Sequence, residues 1–299
     1  MKSLLIVVAC AGILMGEVRA ADKAAKRPVF NHRLSAAESV KIPRRPYLGS
    51  PDTLHILVAL VEFKPESTSL TTGSGTFVLA APNKPYIDSP PHNRSYFLNH
   101  IAFVQNYFRK VSRGNQFIAA TLLDSVYKLG STMRTYSPVA TGGTTNIGLG
   151  NLMKDAWTLI DSTTAGVNFD NYDAFVIFHA GVGHDIDFVS LYGYDPTPYD
   201  LPSLYISLPA LQKMYGASYG GIPVSNGTHP ITNSMILPET ENRILATVGG
   251  QSLLQLSING LFAASIGSHL GLPDLFDTQS GASGIGRFGL MDGQAIFGW

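Results

Sequence analysis

Cysteine is almost absent from this sequence. The only cysteine, Cys10, lies in an apolar N-terminal stretch that has the features of a signal peptide. A chain cleaved after that stretch would have no disulfide, no cysteine nucleophile and no cysteine-ligated metal. With 299 residues, the chain is long enough to be stabilised by a hydrophobic core instead of by crosslinks.

Charge is also scarce. Charged residues make up 14% of the chain, and 21 Lys and Arg residues balance 21 Asp and Glu residues, so the formal net charge is zero. A neutral chain lacks the basic surface that nucleic acids attract, and we expect no nucleic-acid partner. The apolar run at residues 4–16 is too short for a membrane-spanning helix, so we expect no transmembrane span.

The first 20 residues predict export. Lys2 precedes the apolar run, and Val-Arg-Ala at residues 18–20 puts small residues at positions −3 and −1 of a cleavage site. The tetrapeptide Val-Val-Ala-Cys at residues 7–10 leaves a lipoprotein signal open as an alternative. We therefore predict a bacterial-type signal peptide at 1–20 and a protein that is secreted or held in the cell envelope.

The rest of the chain predicts a lead-in and one domain. Residues 21–50 are basic and contain several prolines, which predicts a flexible lead-in to a domain at 51–299. Apolar runs predict buried strands, and apolar residues at helical spacing predict helices, in the order strand 53–63, helix 96–111, helix 151–160, strand 174–181. This mixture of helices and strands is typical of α/β domains. Further expected elements are a short strand at 77–80, a pair of strands within 116–127, and an edge strand at 231–237 that ends at Pro238.

The most distinctive stretch lies near the C-terminus. Residues 251–270 are apolar or small and almost uncharged, which predicts a buried helix. Gly271 suits the left-handed conformation that follows many helix ends, and Pro273 prevents the helix from continuing. Together these features close the stretch on the motif LGLPDLFD, residues 270–277.

That motif, together with Gly267, resembles the immune inhibitor A family of secreted zinc metallopeptidases. Members of the family carry His-Glu-Phe-Gly-His-x-Leu-Gly-Leu-Pro-Asp-Leu-Tyr-Asp at this place. Residues 284–293, GIGRFGLMDG, resemble the methionine turn that lies beneath the zinc in these metzincin-type enzymes, with Met291 as the methionine. Weaker similarity covers residues 107–117 and 167–181.

The resemblance implies an α/β (α+β) catalytic domain of the zincin or metzincin type. It makes five residues parts of a structural motif: Gly271, Pro273, Asp274, Asp277 and Met291. Because family members continue after the methionine turn with at least one more helix, it also implies a C-terminally truncated domain.

The zinc-binding half of the family motif is missing. Ala264 and Ser268 occupy the positions of the two histidine ligands, and Ser265 occupies that of the catalytic glutamate. Two histidines four residues apart on a helix can share a zinc ion, and the glutamate activates the zinc-bound water. Alanine offers no ligand, and serine is neither a usual zinc ligand nor a general base near neutral pH. His269 follows Ser268 directly, so on an ideal helix its side chain points about 100° away from that of Ser268 and cannot simply replace a ligand at that position.

We therefore expect a non-catalytic homologue, a pseudopeptidase that needs no cofactor and binds an extracellular or envelope protein or peptide. Two alternatives remain open. One is an active peptidase with a relocated zinc, for which the candidate ligands are Asp274, His269, His179, His184 and Asp185. Asp274 falls where metzincin-type motifs place a third ligand, but a carboxylate there also suits a loop cap. The other alternative is an adhesion module that binds through the tyrosine-rich segment 192–205, which equally fits a packed loop.

Overall fold

The computed structural model describes residues 52–141, 146–247, 249–277, 283–286 and 288–294. The predicted signal peptide and lead-in lie outside the described residues. The strands are β1 (Asp52–Glu62), β2 (Gln116–Lys128), β3 (Ala174–Val182), β4 (Leu204–Ile206), β5 (Ile222–Val224), β6 (His229–Ile231), β7 (Ser234–Thr240), β8 (Arg243–Thr247) and β9 (Gly250–Leu254). The helices are α1 (Arg94–Val111), α2 (Met133–Tyr136), α3 (Ile147–Thr163), α4 (Phe188–Tyr192), α5 (Leu208–Tyr215) and α6 (Asn259–His269). A short 3₁₀ turn covers Phe169–Asn171, and a single π turn covers Leu290–Gln294.

Five strands form one sheet in the order β2-β1-β3-β7-β4. The first four run parallel to their neighbours, and only the short edge strand β4 is antiparallel to β7. Two separate hairpins, β5-β6 and β8-β9, lie outside this sheet. The fold is therefore mixed α/β with a mostly parallel sheet, which confirms the coarse fold class expected from the sequence.

The sheet is covered on both faces, as its continuous apolar strands require. Along β1, Ile56 and Val58 belong to the core beneath α1 and α6, whereas Leu57 and Ala59 belong to the core beneath α3 and α5. All four side chains are fully buried. The alternation of the strand thus divides the apolar residues between two layers of helices.

Several predicted elements differ in the structure. The strand expected at the sheet edge is β7, which lies between β3 and β4, and Pro238 is inside it. Proline is tolerated there because the pairing with β3 is interrupted directly after His179 pairs with Pro238. The true edge strand, β4, lies in the segment that the sequence suggested was a packed loop. Residues 77–80 form no strand, and β2 is one strand parallel to β1 instead of a pair.

The predicted helix at 251–270 is also too long. Its first residues belong to β9, which pairs with β8, and α6 begins only at Asn259. The start is fixed by a distant side chain, because the Asp88 carboxylate accepts a hydrogen bond of 2.9 Å from the Ile258 backbone N–H.

The end of α6 is as predicted. Gly271 has φ of 85°, and the backbone N–H groups of Gly271 and Leu272 donate to the carbonyl oxygens of Ser268 and Gly267. These two bonds form a Schellman motif, which requires a left-handed residue at the glycine. No helix within the described ranges is both long and apolar enough to cross a lipid bilayer.

Candidate functional site

The family-equivalent positions lie on a helix that is buried almost throughout. Every residue of α6 from Gly260 to Gly267 is buried, since the helix packs against α1, β7 and β4. Ala264 has no exposed surface, and Ser265 is only 2% exposed. The Ser268 hydroxyl donates a hydrogen bond of 3.0 Å to the Ala264 carbonyl oxygen, one helical turn earlier. The hydroxyl is thereby tied to its own helix.

The turn at 283–292 packs directly against this helix. A Cβ atom placed on Gly267 would lie 2.9 Å from the Met291 sulfur, so the methionine occupies the space that a side chain would need. The Met291 carbonyl oxygen also accepts a 2.9 Å hydrogen bond from the Leu275 backbone N–H. The turn therefore holds both α6 and the segment that follows it.

A buried carboxylate closes the same turn. Asp292 is 1% exposed and accepts hydrogen bonds from the Ser283 hydroxyl at 2.5 Å and from the backbone N–H groups of Gly284 at 3.0 Å and Ile285 at 3.2 Å. Three donors suit an ionised carboxylate. Asp292 was not predicted from the sequence as a functional residue, although its position directly after Met291 could have suggested it.

The residues at the family's zinc-ligand positions do not fit a zinc ion. Ala264 has no donor atom, and Ser268 uses its hydroxyl on the helix backbone. Zinc in proteins is held by Cys, His, Asp or Glu, and a catalytic site needs three such ligands. No chemical step that depends on a metal at α6 can therefore be assigned to these residues.

Beside α6, an edge-strand tyrosine meets the histidine at the end of the helix. The Tyr205 hydroxyl and His269 Nδ1 are 3.2 Å apart, and the two rings are perpendicular. Burial raises the pKa of Tyr205 to about 12, so the tyrosine hydroxyl is neutral near neutral pH. Asp274, the other candidate at this end of α6, is half-buried and engaged with other groups.

The remaining metal candidates lie on β3 and the loop after it, each with its own partner. His179 is fully buried, and its Nδ1 donates a 3.0 Å hydrogen bond to the Ala180 carbonyl oxygen. Burial lowers the pKa of His179 to about 4, which keeps the ring neutral. His184 Nε2 lies 2.5 Å from the Asp195 carboxylate, and the Asp185 carboxylate accepts from the Ser203 backbone N–H at 3.0 Å.

These candidates are not brought together. In the part of the chain that the structure describes, no three His, Cys, Asp or Glu side chains are arranged so that they could hold a metal ion. The relocated zinc site therefore has no ligand set among the described side chains. The contacts of His184 with Asp195 and of Asp185 with Ser203 instead fix the loop in place.

A cluster of buried charged side chains was not predicted from the sequence. Asp200, Glu241 and Arg243 are buried, and a guanidinium nitrogen of Arg243 lies 3.0 Å from the Asp200 carboxylate. Arg243 also donates to the Gly183 carbonyl oxygen and stacks over the Phe188 ring at 4.7 Å. The signal was the charged sequence Glu-Thr-Glu-Asn-Arg at 239–243, which directly continues an apolar strand.

The tyrosine-rich segment is partly exposed and partly packed. Tyr192 is 41% exposed and Tyr194 is 62% exposed, whereas the Tyr199 ring lies 4.3 Å beneath the Arg134 guanidinium. The segment is therefore exposed at Tyr192 and Tyr194 and packed at Tyr199.

No protein-family model matches this chain, and no curated protein matches it at significant similarity. The geometry of the site is thus the main basis for a functional proposal.

Proposed function

We propose that this protein is a non-catalytic homologue of the immune inhibitor A-like secreted zinc metallopeptidases, exported from the cell and used to bind a protein or peptide. The observation that carries the proposal is the contact between Met291 and Gly267. Met291 packs against the helix that holds Ala264, Ser265 and Ser268, which is the arrangement that we would expect if residues 290–292 correspond to the family's methionine turn.

Two further observations support the proposal. The helix ends in a Schellman motif at Gly271, followed by the Leu-Pro-Asp sequence of the resembled motif. The short antiparallel strand β4 lies at the sheet edge and contacts the end of α6 through Tyr205 and His269. In the resembled family an edge strand lines the substrate cleft, so this edge is the surface on which we expect a peptide to bind.

The first test measures zinc and proteolysis on the purified full-length protein. We expect zinc well below one ion per chain and no chelator-sensitive cleavage of casein, because two of the ligand positions carry no usable donor. Stoichiometric zinc together with chelator-sensitive cleavage would contradict the proposal and revive the active-peptidase alternative.

A second test asks whether the framework of the zinc site is preserved. The triple variant Ala264→His, Ser265→Glu, Ser268→His restores the family motif, in which Asp274 occupies the position of a third ligand. We expect it to take up zinc at close to one ion per chain. The matched control is the double variant Ser265→Glu, Ser268→His, which lacks one histidine and should bind far less. Equal zinc in the two variants would show that α6 is not a metallopeptidase helix.

The adhesion alternative has one observation in its favour, the exposed rings of Tyr192 and Tyr194. Under this alternative, replacing both with serine should abolish binding of the protein to isolated cell envelopes. Tyr199→Ser is the control, since the Tyr199 ring is covered by Arg134 and should contribute little. Unchanged binding by the double variant would remove this candidate.

A further inference from the structure

The segment between β3 and β4, residues 183–203, is fastened to the end of β7 by buried polar groups. The Gly183 backbone N–H donates a 3.0 Å hydrogen bond to the Thr240 carbonyl oxygen, and the Gly183 carbonyl oxygen accepts from Arg243. Further along the segment, Asp200 is paired with Arg243 and accepts a 2.6 Å hydrogen bond from the Thr72 backbone N–H. Both ends of the segment are therefore held by the same arginine.

Glu241 lies in the middle of these contacts and is unlike its neighbours. The side chain is fully buried, and among the described residues no N–H donor reaches either carboxyl oxygen; the group that interacts with it most closely is the carboxyl group of Asp185. It lies directly on the backbone of Gly183, where an added Cβ atom would come within 1.5 Å of Oε1. An ionised carboxylate without donors in such a place carries a large desolvation penalty.

The charges around Glu241 do not balance if every group is ionised. From the segment, Asp185, Asp200 and the pair of His184 with Asp195 face this region. From the β7–β8 connection come Glu241 and Arg243, and Thr72, from the loop before α1, contributes a neutral hydroxyl that donates to Asp200. Arg243 is paired with Asp200 and His184 with Asp195, so no cation among the described residues is paired with the carboxyl groups of Asp185 and Glu241.

We propose that Glu241 carries a proton in the folded protein and that this proton keeps segment 183–203 closed against β7 and β8. The segment is then a latch that opens more readily as the pH rises. Opening would release the segment, which carries Tyr192 and Tyr194, and the edge strand β4 that follows it. The latch does not depend on whether the protein is a metallopeptidase homologue.

The titration of the carboxyl pair agrees with this geometry. Burial, and then the Asp185 carboxylate, raise the pKa of Glu241 well above its ordinary value. Burial also raises the pKa of Asp185, but Glu241 and Ser203 act in the opposite direction on Asp185, so Glu241 is the member that keeps the proton. A group whose pKa is raised on folding stabilises the closed state at low pH. That contribution is lost as the pH rises towards and through the pKa in the folded state.

Hydrogen exchange tests the latch. The backbone N–H groups of Gly183, His184 and Ser203 are all hydrogen-bonded in the closed segment, so their protection reports its opening. After correction for the intrinsic pH dependence of exchange, we expect protection in the wild type to fall by up to tenfold per pH unit between the ordinary pKa of glutamate and the raised pKa of Glu241, and to level off above it. Glu241→Gln, which is neutral and similar in shape, should keep its protection over the same range.

The matched control is Glu239→Gln, two residues earlier on β7. The Glu239 carboxylate is also buried, but it accepts from the Val78 backbone N–H and lies 3.5 Å from His92 Nδ1. This variant should therefore keep the wild-type pH dependence. The latch is ruled out if the protection of segment 183–203 in the wild type does not fall as the pH rises. It is also ruled out if the Glu241→Gln variant loses protection with the same pH dependence as the wild type.

A second measurement needs no variant, in case Glu241→Gln does not fold. Infrared spectroscopy of the wild type should show the C=O stretch of a protonated carboxyl group at neutral pH. This band should disappear at the pH at which the fall in protection of segment 183–203 levels off. If no protonated carboxyl band is present at neutral pH, the proposal is wrong.

Discussion

Helix α6 and the residues at 239–243 lie against the same sheet, but they handle polar groups in opposite ways. In α6, the positions where the resembled family has charged or ligating side chains hold Ala264, Ser265 and Ser268, and the Ser268 hydroxyl donates to the backbone of its own helix. At 239–243, two glutamates and an arginine remain buried within five residues.

The difference follows from what each charge has to pair with. Arg243 reaches Asp200, Gly183 and the Thr197 hydroxyl, so its charge is compensated from several sides. Near α6 a charged ligand set would need a metal ion as its counter-charge, and without that ion neutral small residues cost the least. Buried charge in this protein is thus kept where the fold itself supplies the partner.

The largest effect is expected when the cation of the charged region 239–243, Arg243, is removed. Arg243→Met keeps an unbranched apolar stem but removes the guanidinium, which leaves the Asp200 carboxylate buried without its partner. We expect the free energy of unfolding to fall by about 3–5 kcal/mol, measured by urea denaturation near neutral pH.

Lys128→Met is the control for that loss. The Lys128 ammonium lies 3.5 Å from the Glu62 carboxylate, but the lysine side chain is 74% exposed. An exposed pair contributes about 0–1 kcal/mol, so this variant should remain close to the wild type. If both variants lose the same stability, the buried pair is not what fixes the segment.

A second prediction sharpens the comparison from the acid side. His179 is fully buried on β3, its Nε2 has no hydrogen-bond partner, and burial lowers its pKa to about 4 from an ordinary value of 6.5. The unfolded chain therefore takes up a proton before the folded chain does. Stability from the neutral ring is complete above pH 6.5 and is lost as the pH falls towards 4, by about 3 kcal/mol in all.

The measurement is the free energy of unfolding at several pH values for the wild type and for His179→Gln. Glutamine does not titrate, so the slope between pH 6.5 and pH 4 should become shallower by one bound proton in the variant. Parallel pH profiles for the two proteins would show that folding does not lower the pKa of His179.

The elements predicted well from sequence are those whose residues determine them locally. Strands β1 and β3 are continuous apolar runs, and the end of α6 is fixed by Gly271 itself. The start of α6 was placed wrongly because its capping group, Asp88, is 170 positions away from Ile258. The interior position of β7 was missed because Pro238 is typical of an edge, and only the pairing with β3 shows where the missing N–H is tolerated.

The candidate site divides in the same way. The motif from Leu270 to Asp277, and the residues that resemble a methionine turn, are continuous in the sequence and could be read from it directly. The contact of Tyr205 with His269 and the approach of Glu241 to Asp185 join parts of the chain that are far apart, so no local pattern announces them. Long-range pairs of this kind follow from the strand order, which periodicity alone does not determine.

The smallest expected effect tests the neutral region at the contact on which the proposed function depends. In Gly267→Ala, the new Cβ atom would meet the Met291 sulfur at 2.9 Å and the Leu272 side chain at 3.3 Å. Both neighbours are ends of flexible side chains, and alanine is about 1 kcal/mol better than glycine in a helix. We therefore expect a net loss of only about 0–1 kcal/mol, in contrast to the buried arginine.

A double-mutant cycle with Met291→Ala separates the two opposing effects. Once the methionine is shortened, the clash is gone, and Gly267→Ala should stabilise the protein by up to about 1 kcal/mol through helix propensity alone. The expected result is therefore a coupling between the two positions, measured from urea denaturation of all four proteins. If Gly267→Ala has the same effect with and without Met291, the turn does not pack on α6, and the structural support for the methionine turn is lost.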